Sequence, residues 1–449
     1  MKKYILNSVK SVSKDVSFST PGHKGREFDY LKIKYDVTEL DETDNLLEPT
    51  SAILKSMDEL KKIYKSKASY YLTQGSSLGI VTAIVANLEK GDKILVERTC
   101  HKSVYNGVIL SELDPTYIHP IIDERLSVPI GIDLEDLKNK IRTGRYRAVV
   151  VTSPNYFGQT LPLEEIYEVC KDNDTILIVD EAHGANLNFL PELSKLSSYN
   201  RCDIAIQSAH KTLPAITGSA FMHVYSDRIN IELLEKTLRL FQSTSPSYLM
   251  LISMEEALDF MENFGRENLN KNIDRIKVLK ENLKKEGFYF LEGDSLDPTR
   301  LVVSKENISG YEIERAIKVF GIRAEMATPF CAVFIITAAD DEKSIEKLEY
   351  ALKNASYIED HPKAMNFSYR EKIIYKPSEV FRKESKWVKL KNTEGMVSTS
   401  FVIPYPPGTP ILVPGEEVTD EIIKILERYL ELDIKVVGLE NGGIKVGSK

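Results

Sequence analysis

Between residues 70 and 224, short runs of β-branched and other apolar residues alternate with stretches of helical periodicity. The clearest unit places a buried strand at 148–152, a helix at 163–171 and the next strand at 176–179. Strands and helices that alternate in this way are typical of βαβ units in a mostly parallel sheet. We therefore predict an α/β fold in which helices cover a layered sheet.

The rest of the chain changes pattern. Helical periodicity at 233–240 and 254–283 predicts a bridge between two domains. Beyond it, strands and helices alternate in a smaller α+β pattern, with predicted elements at 300–303, 311–320, 332–336 and 344–352. The predicted organisation is an N-terminal arm at 1–50, a large domain at 51–285 and a C-terminal α+β domain at 286–449, which includes a Pro-rich segment and a terminal helix at 420–432.

Composition excludes several classes of protein. The formal net charge of -8 disfavours a nucleic-acid partner, and no apolar run is long enough to cross a membrane. The cysteines are scattered without CxxC spacing, so neither a metal site nor a disulfide framework is indicated. They are Cys100, Cys170, Cys202 and Cys331. A reducing cytoplasm is the predicted location.

Two polar groups of residues follow neighbouring predicted strands. Asp180 comes directly after the strand at 176–179, and Lys211 closes a Ser-Ala-His-Lys stretch after a strand predicted at 203–207. A lysine is usually a surface charge, but ligands collect at the carboxyl ends of parallel strands. A lysine that forms a Schiff base with pyridoxal phosphate needs an acid that keeps the pyridine nitrogen protonated. We therefore predict that Lys211 binds this cofactor and that Asp180 pairs with its ring nitrogen.

The phosphate of such a cofactor needs its own ligands. A glycine-serine turn, GSSLG, precedes a helix predicted at 80–88, and free amides at a helix start attract phosphate. Alone, such a turn is common and carries little information. Beside the lysine motif, it predicts that Ser76 and Ser77 bind the phosphate from one segment, and that Ser208 and His210 bind it from another.

Two further histidines are candidates for the site. His101 follows a strand predicted at 93–97, so its ring could stack on the cofactor; the alternative is a capping or core histidine. His183 either orients Asp180 or the phenolic oxygen of the cofactor, or caps the local turn. His101 and Lys211 are the candidates for returning a proton to the substrate carbon.

These residues, with several longer motifs, resemble the Orn/Lys/Arg decarboxylase family. The likeness covers nearly the whole chain, through STPGHKG at 19–25, CHKSVY at 100–105, TSPNYFG at 152–158, DEAHGA at 180–185, STSPSY at 243–248 and the segment 404–416. It implies a fold-type-I pyridoxal-phosphate enzyme of the shorter form, which lacks the N-terminal receiver-like domain. One departure is Asn186, which stands where the family usually has a histidine.

The resemblance also implies an assembly and further site residues. Family members are dimers or larger assemblies with active sites between subunits, so a homodimer or homotetramer is expected. Ser245 would support the phosphate across that interface. Glu416 would pair with the substrate cation, unless it only caps the following helix, and Asp44 is a second candidate carboxylate.

The resulting functional prediction is decarboxylation of a basic L-amino acid, with arginine favoured over lysine and lysine over ornithine. The product amine would feed polyamine synthesis. One alternative is another fold-type-I reaction, as in an aminotransferase or lyase, with Arg300 or Arg323 holding the substrate carboxylate. Another is a pyridoxal-phosphate-binding paralogue with weak or no catalysis.

Overall fold

The structure is a computed structural model that describes residues 16–18, 43–361, 370–405, 408–432 and 434–447. Most of the predicted N-terminal arm, including the STPGHKG motif, lies outside the described residues. Within the described part of the chain, no helix has the length and apolar character needed to cross a membrane.

Strands and helices alternate as predicted through the first half of the chain. The strands are β1 Val16–Ser17, β2 Ala68–Leu72, β3 Lys93–Glu97, β4 Asp114–Ile118, β5 Pro120–Ile122, β6 Pro129–Ile132, β7 Ala148–Thr152, β8 Ile176–Asp180, β9 Ile204–Ser208, β10 Ala220–Val224, β11 Phe288–Phe290, β12 Arg300–Lys305, β13 Ile322–Arg323, β14 Met326–Ala327, β15 Ala332–Ile335, β16 Lys386–Lys389, β17 Val397–Ser398, β18 Ile403–Pro404, β19 Val436–Val437, β20 Leu439–Glu440 and β21 Gly443–Gly447. The helices are α1 Ala52–Tyr64, α2 Gly75–Asn87, α3 Lys102–Leu110, α4 Leu134–Gly144, α5 Leu163–Asp172, α6 Pro191–Ser194, α7 Ala209–Thr212, α8 Ile231–Phe241, α9 Tyr248–Phe260, α10 Arg266–Lys284, α11 Gly310–Lys318, α12 Glu342–Asn354, α13 Pro377–Val380 and α14 Asp420–Glu431.

The largest sheet has seven strands in the order β2-β10-β9-β8-β7-β3-β4. β10 runs antiparallel to both of its neighbours, and the remaining pairs are parallel. This confirms the predicted α/β fold with a mostly parallel sheet. The carboxyl ends of β3, β7, β8 and β9 therefore lie along one edge.

The sheet is buried on both faces, which explains its continuous apolar strands. Successive residues of β8 face opposite sides: Ile176 and Ile178 belong to one apolar core, and Leu177 and Val179 belong to another. The last residue of the strand, Asp180, is also buried. The same alternation holds along β7. Each face of these strands is thus packed against a separate core.

Helix α2 begins at Gly75, five residues before the predicted start at 80. It packs closely on the sheet, because a Cβ atom on Gly79 would lie 2.7 Å from Leu72 Cδ1 and 2.9 Å from Ile206 Cγ2. Only glycine permits this approach. As a result, the first turn of α2 lies beside the end of β9.

The second half of the chain contains two smaller sheets with separate cores. Strands β11, β12, β15 and β14 form an antiparallel sheet whose core includes residues of α10, α11 and α12. Strands β16, β21 and β17 form another antiparallel sheet. Residues of this sheet and of α14 form a separate apolar core. The described part of the region predicted as one C-terminal α+β domain therefore contributes to more than one apolar core.

Gly310 provides a test of packing in the first of these units. A Cβ atom there would lie 2.0 Å from Cys331 O and 2.5 Å from Thr328 O, both backbone atoms that cannot rotate away. We expect Gly310→Ala to destabilise the protein by about 1–3 kcal/mol, as overpacking does. Thermal unfolding measures the effect. The matched control is Gly293→Ala, whose new methyl group would have no atom within 4 Å; equal melting temperatures for the two variants would contradict this account.

Candidate active site

A cavity of about 510 Å³ lies at the carboxyl edge of the large sheet. Its walls come from the ends of β3, β7, β8 and β9, from the first turn of α2, and from parts of both C-terminal units. All of the predicted cofactor-binding residues except Ser245 line it. The structure therefore brings together residues that are far apart in the sequence.

Lys211 lies in the short helix α7, directly after β9. Its Nζ atom is 3.0 Å from His183 Nε2. Desolvation lowers the pKa of Lys211, while the negative charges of Asp180 and Glu325 oppose this shift. A lowered pKa favours the neutral amine, which is the nucleophilic form that a Schiff base requires.

Asp180 ends β8 and lines the cavity close to Lys211. One of its oxygens, Oδ1, accepts a hydrogen bond from the Ala182 amide at 3.1 Å. In the sheet register, Asp180 pairs with Thr152 on one side and with Ile206 on the other. A buried carboxylate in this position can pair with a cationic ring nitrogen in the cavity.

Two serine hydroxyls meet at the start of α2. Ser208 Oγ, at the end of β9, donates a hydrogen bond to Ser76 Oγ at 2.9 Å. Gln74, the N-cap residue, makes no side-chain capping hydrogen bond within the described chain. Nearby, His210 donates its Nδ1–H to Ser219 O at 3.0 Å. Amides of a helix start, hydroxyls and an imidazole form a suitable set of ligands for a phosphate.

His101 has the capping role that the sequence analysis gave as the alternative, and it also lies at the cavity. It is the N-cap of α3, where its Nδ1 accepts a hydrogen bond from the Ser103 amide at 3.2 Å. The residue also lines the cavity. Capping fixes the ring by one nitrogen, and stacking on a cofactor remains a prediction.

His183 joins the lysine to a buried arginine. Its Nδ1 atom lies 3.3 Å from Arg300 Nη2, and its ring packs against Tyr156 with centroids 4.7 Å apart. Burial lowers the pKa of His183, and the charges of Lys211 and Arg300 lower it further. Arg300 is fully buried and is not among the residues that line the cavity. It therefore contacts His183 and does not have the position of a carboxylate-binding arginine.

One carboxylate at the cavity was missed by the sequence analysis. Glu325 lies between β13 and β14, lines the cavity, and accepts a hydrogen bond from Tyr156 Oη at 2.8 Å. Among the described residues that line the cavity, the carboxylates are those of Asp180 and Glu325. Because Glu325 reaches the site only through folding of the smaller sheet, no local motif marks it.

Glu416 has a different role from the predicted one. Its side chain is buried, and Oε2 accepts hydrogen bonds from Arg98 Nη2 at 3.1 Å and from the Val413 amide at 2.8 Å. It does not line the cavity, and the N-cap of α14 is Thr419. This corrects the predictions that Glu416 pairs with the substrate or caps the helix. The residue instead accepts a buried hydrogen bond from Arg98.

Asp44 is also engaged within the chain. It is buried, and its carboxylate accepts hydrogen bonds from the amides of Thr50, Ser51 and Ile53 at 3.0, 2.8 and 3.0 Å. Although desolvation opposes the shift, these amides hold the pKa of Asp44 well below its usual range. Asp44 therefore orders the start of α1, which corrects its prediction as a substrate carboxylate.

Ser245 is exposed and lies outside the cavity, and its role toward a partner subunit stays a prediction.

The mostly parallel sheet, with a lysine and a carboxylate facing one cavity at its carboxyl edge, has the architecture of fold-type-I pyridoxal-phosphate enzymes. Residues 8–300 match the family model of the Orn/Lys/Arg decarboxylase major domain, and residues 363–442 match that of the C-terminal domain of the same family. The chain belongs to the Orn/Lys/Arg decarboxylase family, and it is thereby an amino-acid decarboxylase.

The chain is also similar to individual proteins over most of its length. The chain is 30% identical to the uncharacterized protein YaaO of Bacillus subtilis strain 168, over 94% of this chain and 92% of the relative. It is 27% identical to an arginine decarboxylase of the same organism, over 95% of this chain and 93% of the relative. The fold is similar to that of the crystal structure of a Francisella novicida lysine decarboxylase, with a TM-score of 0.80, 21% identity, and coverage of 98% of this chain and 80% of the other.

The buried Glu416 gives a prediction about stability and pH. Burial raises the pKa of Glu416 from 4.5 to about 7, and the nearby Arg98 only partly offsets this. The folded protein therefore keeps a proton that the unfolded chain releases, and this stabilisation is lost as the pH rises from 4.5 to about 7. Glu416→Gln has no such proton, so the wild type should lose stability relative to the variant across this window, by up to roughly 3 kcal/mol.

Thermal unfolding of both proteins at about pH 5 and pH 8 measures the difference. Glu427→Gln is the matched control, because Glu427 lies on the exposed face of α14 in the same unit. If the melting temperatures of wild type and Glu416→Gln changed equally between the two pH values, the predicted titration of buried Glu416 would be contradicted.

Proposed function

We propose that the protein is a pyridoxal-phosphate-dependent decarboxylase that converts a basic L-amino acid to carbon dioxide and the corresponding amine. One observation carries the proposal: Lys211 Nζ and the Asp180 carboxylate share a cavity at the carboxyl edge of the sheet, in a chain that belongs to the decarboxylase family. Relatives named as arginine and lysine decarboxylases support the same activity.

The residues around the cavity fit this cofactor. Lys211 would hold it covalently, and Asp180 would pair with its ring nitrogen. His101 would pack on the ring. The phosphate would be bound by the first turn of α2 and the turn after β9, through Ser76, Ser77, Ser208 and His210. When bound, pyridoxal phosphate supplies an electron-withdrawing ring that accepts the electron pair of the bond to the departing carboxylate.

The residues of this chain determine which bond breaks. The walls of the cavity include Tyr156, Phe157 and Phe330, whose rings would exclude water and hold the substrate in one orientation. A bond breaks readily only when it stands perpendicular to the conjugated ring, so orientation selects the reaction. His101 and Lys211 are the groups that would return a proton to the substrate carbon.

The arginines of the site favour decarboxylation over transamination. An aminotransferase of this fold usually holds the substrate carboxylate with an arginine. Arg300 is buried behind His183, and among the described residues Arg98 is the arginine that lines the cavity. Its guanidinium already donates to Pro410 O at 2.7 Å and to Ile411 O at 2.9 Å. A substrate carboxylate held less firmly can leave.

Glu325 favours a basic substrate. A cation that enters a partly closed cavity needs a counter-charge, and Glu325 supplies one at the wall. Its hydrogen bond from Tyr156 Oη orients the carboxylate. We propose that Glu325, and not Glu416, pairs with the distal cation of the substrate.

Arginine is the proposed substrate, followed by lysine and then ornithine, because the match to an arginine decarboxylase extends over 95% of this chain at 27% identity. The amine would enter polyamine synthesis. The proposed setting is the cytoplasm, and the proposed assembly is a homodimer or homotetramer in which Ser245 reaches the phosphate of the partner's site.

A substrate panel tests the reaction and its specificity together. Cofactor-loaded enzyme should release carbon dioxide from arginine, lysine or ornithine without forming a keto acid. Glu325→Gln should raise KM for that substrate at least about tenfold while changing kcat less, since loss of a charge-assisted hydrogen bond costs about 1.5–3 kcal/mol. Glu427→Gln serves as the matched control on the surface. Formation of a keto acid would show an aminotransferase, and an unchanged KM would exclude Glu325 from substrate binding.

Lys211→Ala tests the covalent role of the lysine. The variant should lose turnover, because it has no amine to bind the cofactor, while weak cofactor binding through the phosphate ligands should remain. After borohydride treatment of the wild type, mass spectrometry should find the cofactor attached to the Lys211 peptide. The exposed Lys285→Ala is the control. Full activity in Lys211→Ala would reject the assignment.

A further inference from the structure

His183 lies between two nitrogen-bearing side chains, each within hydrogen-bonding distance of a different ring nitrogen. Arg300 Nη2 is 3.3 Å from Nδ1, and Lys211 Nζ is 3.0 Å from Nε2. A guanidinium has donors but no acceptor, and it keeps its charge inside proteins. The contact with Arg300 therefore requires Nδ1 to be the accepting nitrogen.

This requirement determines the rest of the chain of hydrogen bonds. A neutral imidazole has one N–H, so when Nδ1 accepts, the proton is on Nε2. The Nε2–H then donates to Lys211 Nζ. An ammonium group has no lone pair with which to accept, so the contact is satisfied only when Lys211 is a neutral amine.

We propose that Arg300 is a positioning residue that selects the Nε2–H tautomer of His183, and that His183 thereby holds Lys211 as the free amine that condenses with an aldehyde. This inference rests on the proposed role of Lys211 as the cofactor-binding lysine. It does not depend on the identity of the substrate.

The environment of Arg300 supports a fixed, specific contact. Its side chain is fully buried, and Nε and Nη1 have no hydrogen-bond partner among the described residues. A buried guanidinium is costly, and among the described residues His183 is the side chain within hydrogen-bonding distance of Arg300. The stem of Arg300 packs tightly, because a Cβ atom on Gly158 would lie 2.5 Å from Arg300 Cβ.

The charges around Lys211 act in both directions. Asp180, at the end of β8, and Glu325, from the smaller sheet, favour the ammonium form, whereas Arg300 on β12 opposes it. His183 has its pKa lowered by burial, and the lysine and arginine charges add to this effect, so it stays neutral. His101 also faces Lys211 from the start of α3, and desolvation lowers its pKa as well. The neutral imidazole between Lys211 and Arg300 is thus consistent with the hydrogen-bond pattern.

The tautomer can be measured directly on the full-length wild-type protein, without cofactor or substrate. Nitrogen-15 NMR of protein labelled at histidine should give an Nε2–H, Nδ1-unprotonated ring for His183, assigned by its loss in His183→Gln. A ring protonated at Nδ1 would overturn the proposal. This measurement is made without a substitution at Arg300, so its result remains valid even if an Arg300 variant folds poorly.

The second measurement concerns the protonation state of Lys211. The rate at which acetic anhydride modifies Lys211 in the cofactor-free protein, followed by mass spectrometry of its peptide, reports the fraction of neutral amine. Arg300→Met keeps much of the buried stem but removes the donors, so the rate at about pH 8 should fall about tenfold, the change that one pKa unit produces. The His183 ring should lose its single tautomer in the same variant.

Two controls distinguish this role from a structural one. Arg300→Lys keeps a charged donor and should restore most of the modification rate. Arg323→Gln removes an arginine from β13, outside the cavity walls, and should leave the rate unchanged. A rate in folded Arg300→Met within twofold of wild type would overturn the proposal. Neither readout measures carbon dioxide release. Failure of this proposal would therefore leave the proposed decarboxylation unaffected.

Discussion

The parallel direction of β3, β7, β8 and β9 is the constraint on which the site depends. Two apolar cores pack on opposite faces of these strands, and because the strands run parallel, the residues that follow them emerge at the same edge. Asp180 and Lys211 become neighbours for this reason, although they belong to different strand–helix units. The cavity, the candidate phosphate ligands and the lysine all follow from that shared edge.

Sequence reasoning located cavity residues where a candidate ends or follows a strand, or opens a helix. Asp180, Lys211, His101 and Ser76 all meet this condition, because local periodicity fixes the strand and the strand fixes the position of its end. The fold class could be predicted on the same grounds. Helix α2 began earlier than predicted because its first turn is polar and glycine-rich, so its apolar pattern starts only later.

The remaining parts of the site could not be read from local sequence. Arg300 begins β12 of the smaller sheet and Glu325 directly precedes β14, and only the long-range folding of the chain brings them to His183 and Tyr156. Glu416 was misjudged for the converse reason. Its motif indicated a place near the substrate, but nothing in the sequence showed that Arg98, over three hundred residues earlier, would already hold its carboxylate.

Arg98 also connects parts of the molecule that would otherwise be independent. Its guanidinium stands at the end of β3, forms part of the cavity wall, and is bound by the carbonyls of Pro410 and Ile411 as well as by Glu416. The C-terminal unit is therefore not an exchangeable module. A chimera that took this unit from a relative would also need a matching residue directly after β3, since otherwise buried hydrogen-bonding groups beside the cavity would lose their partner.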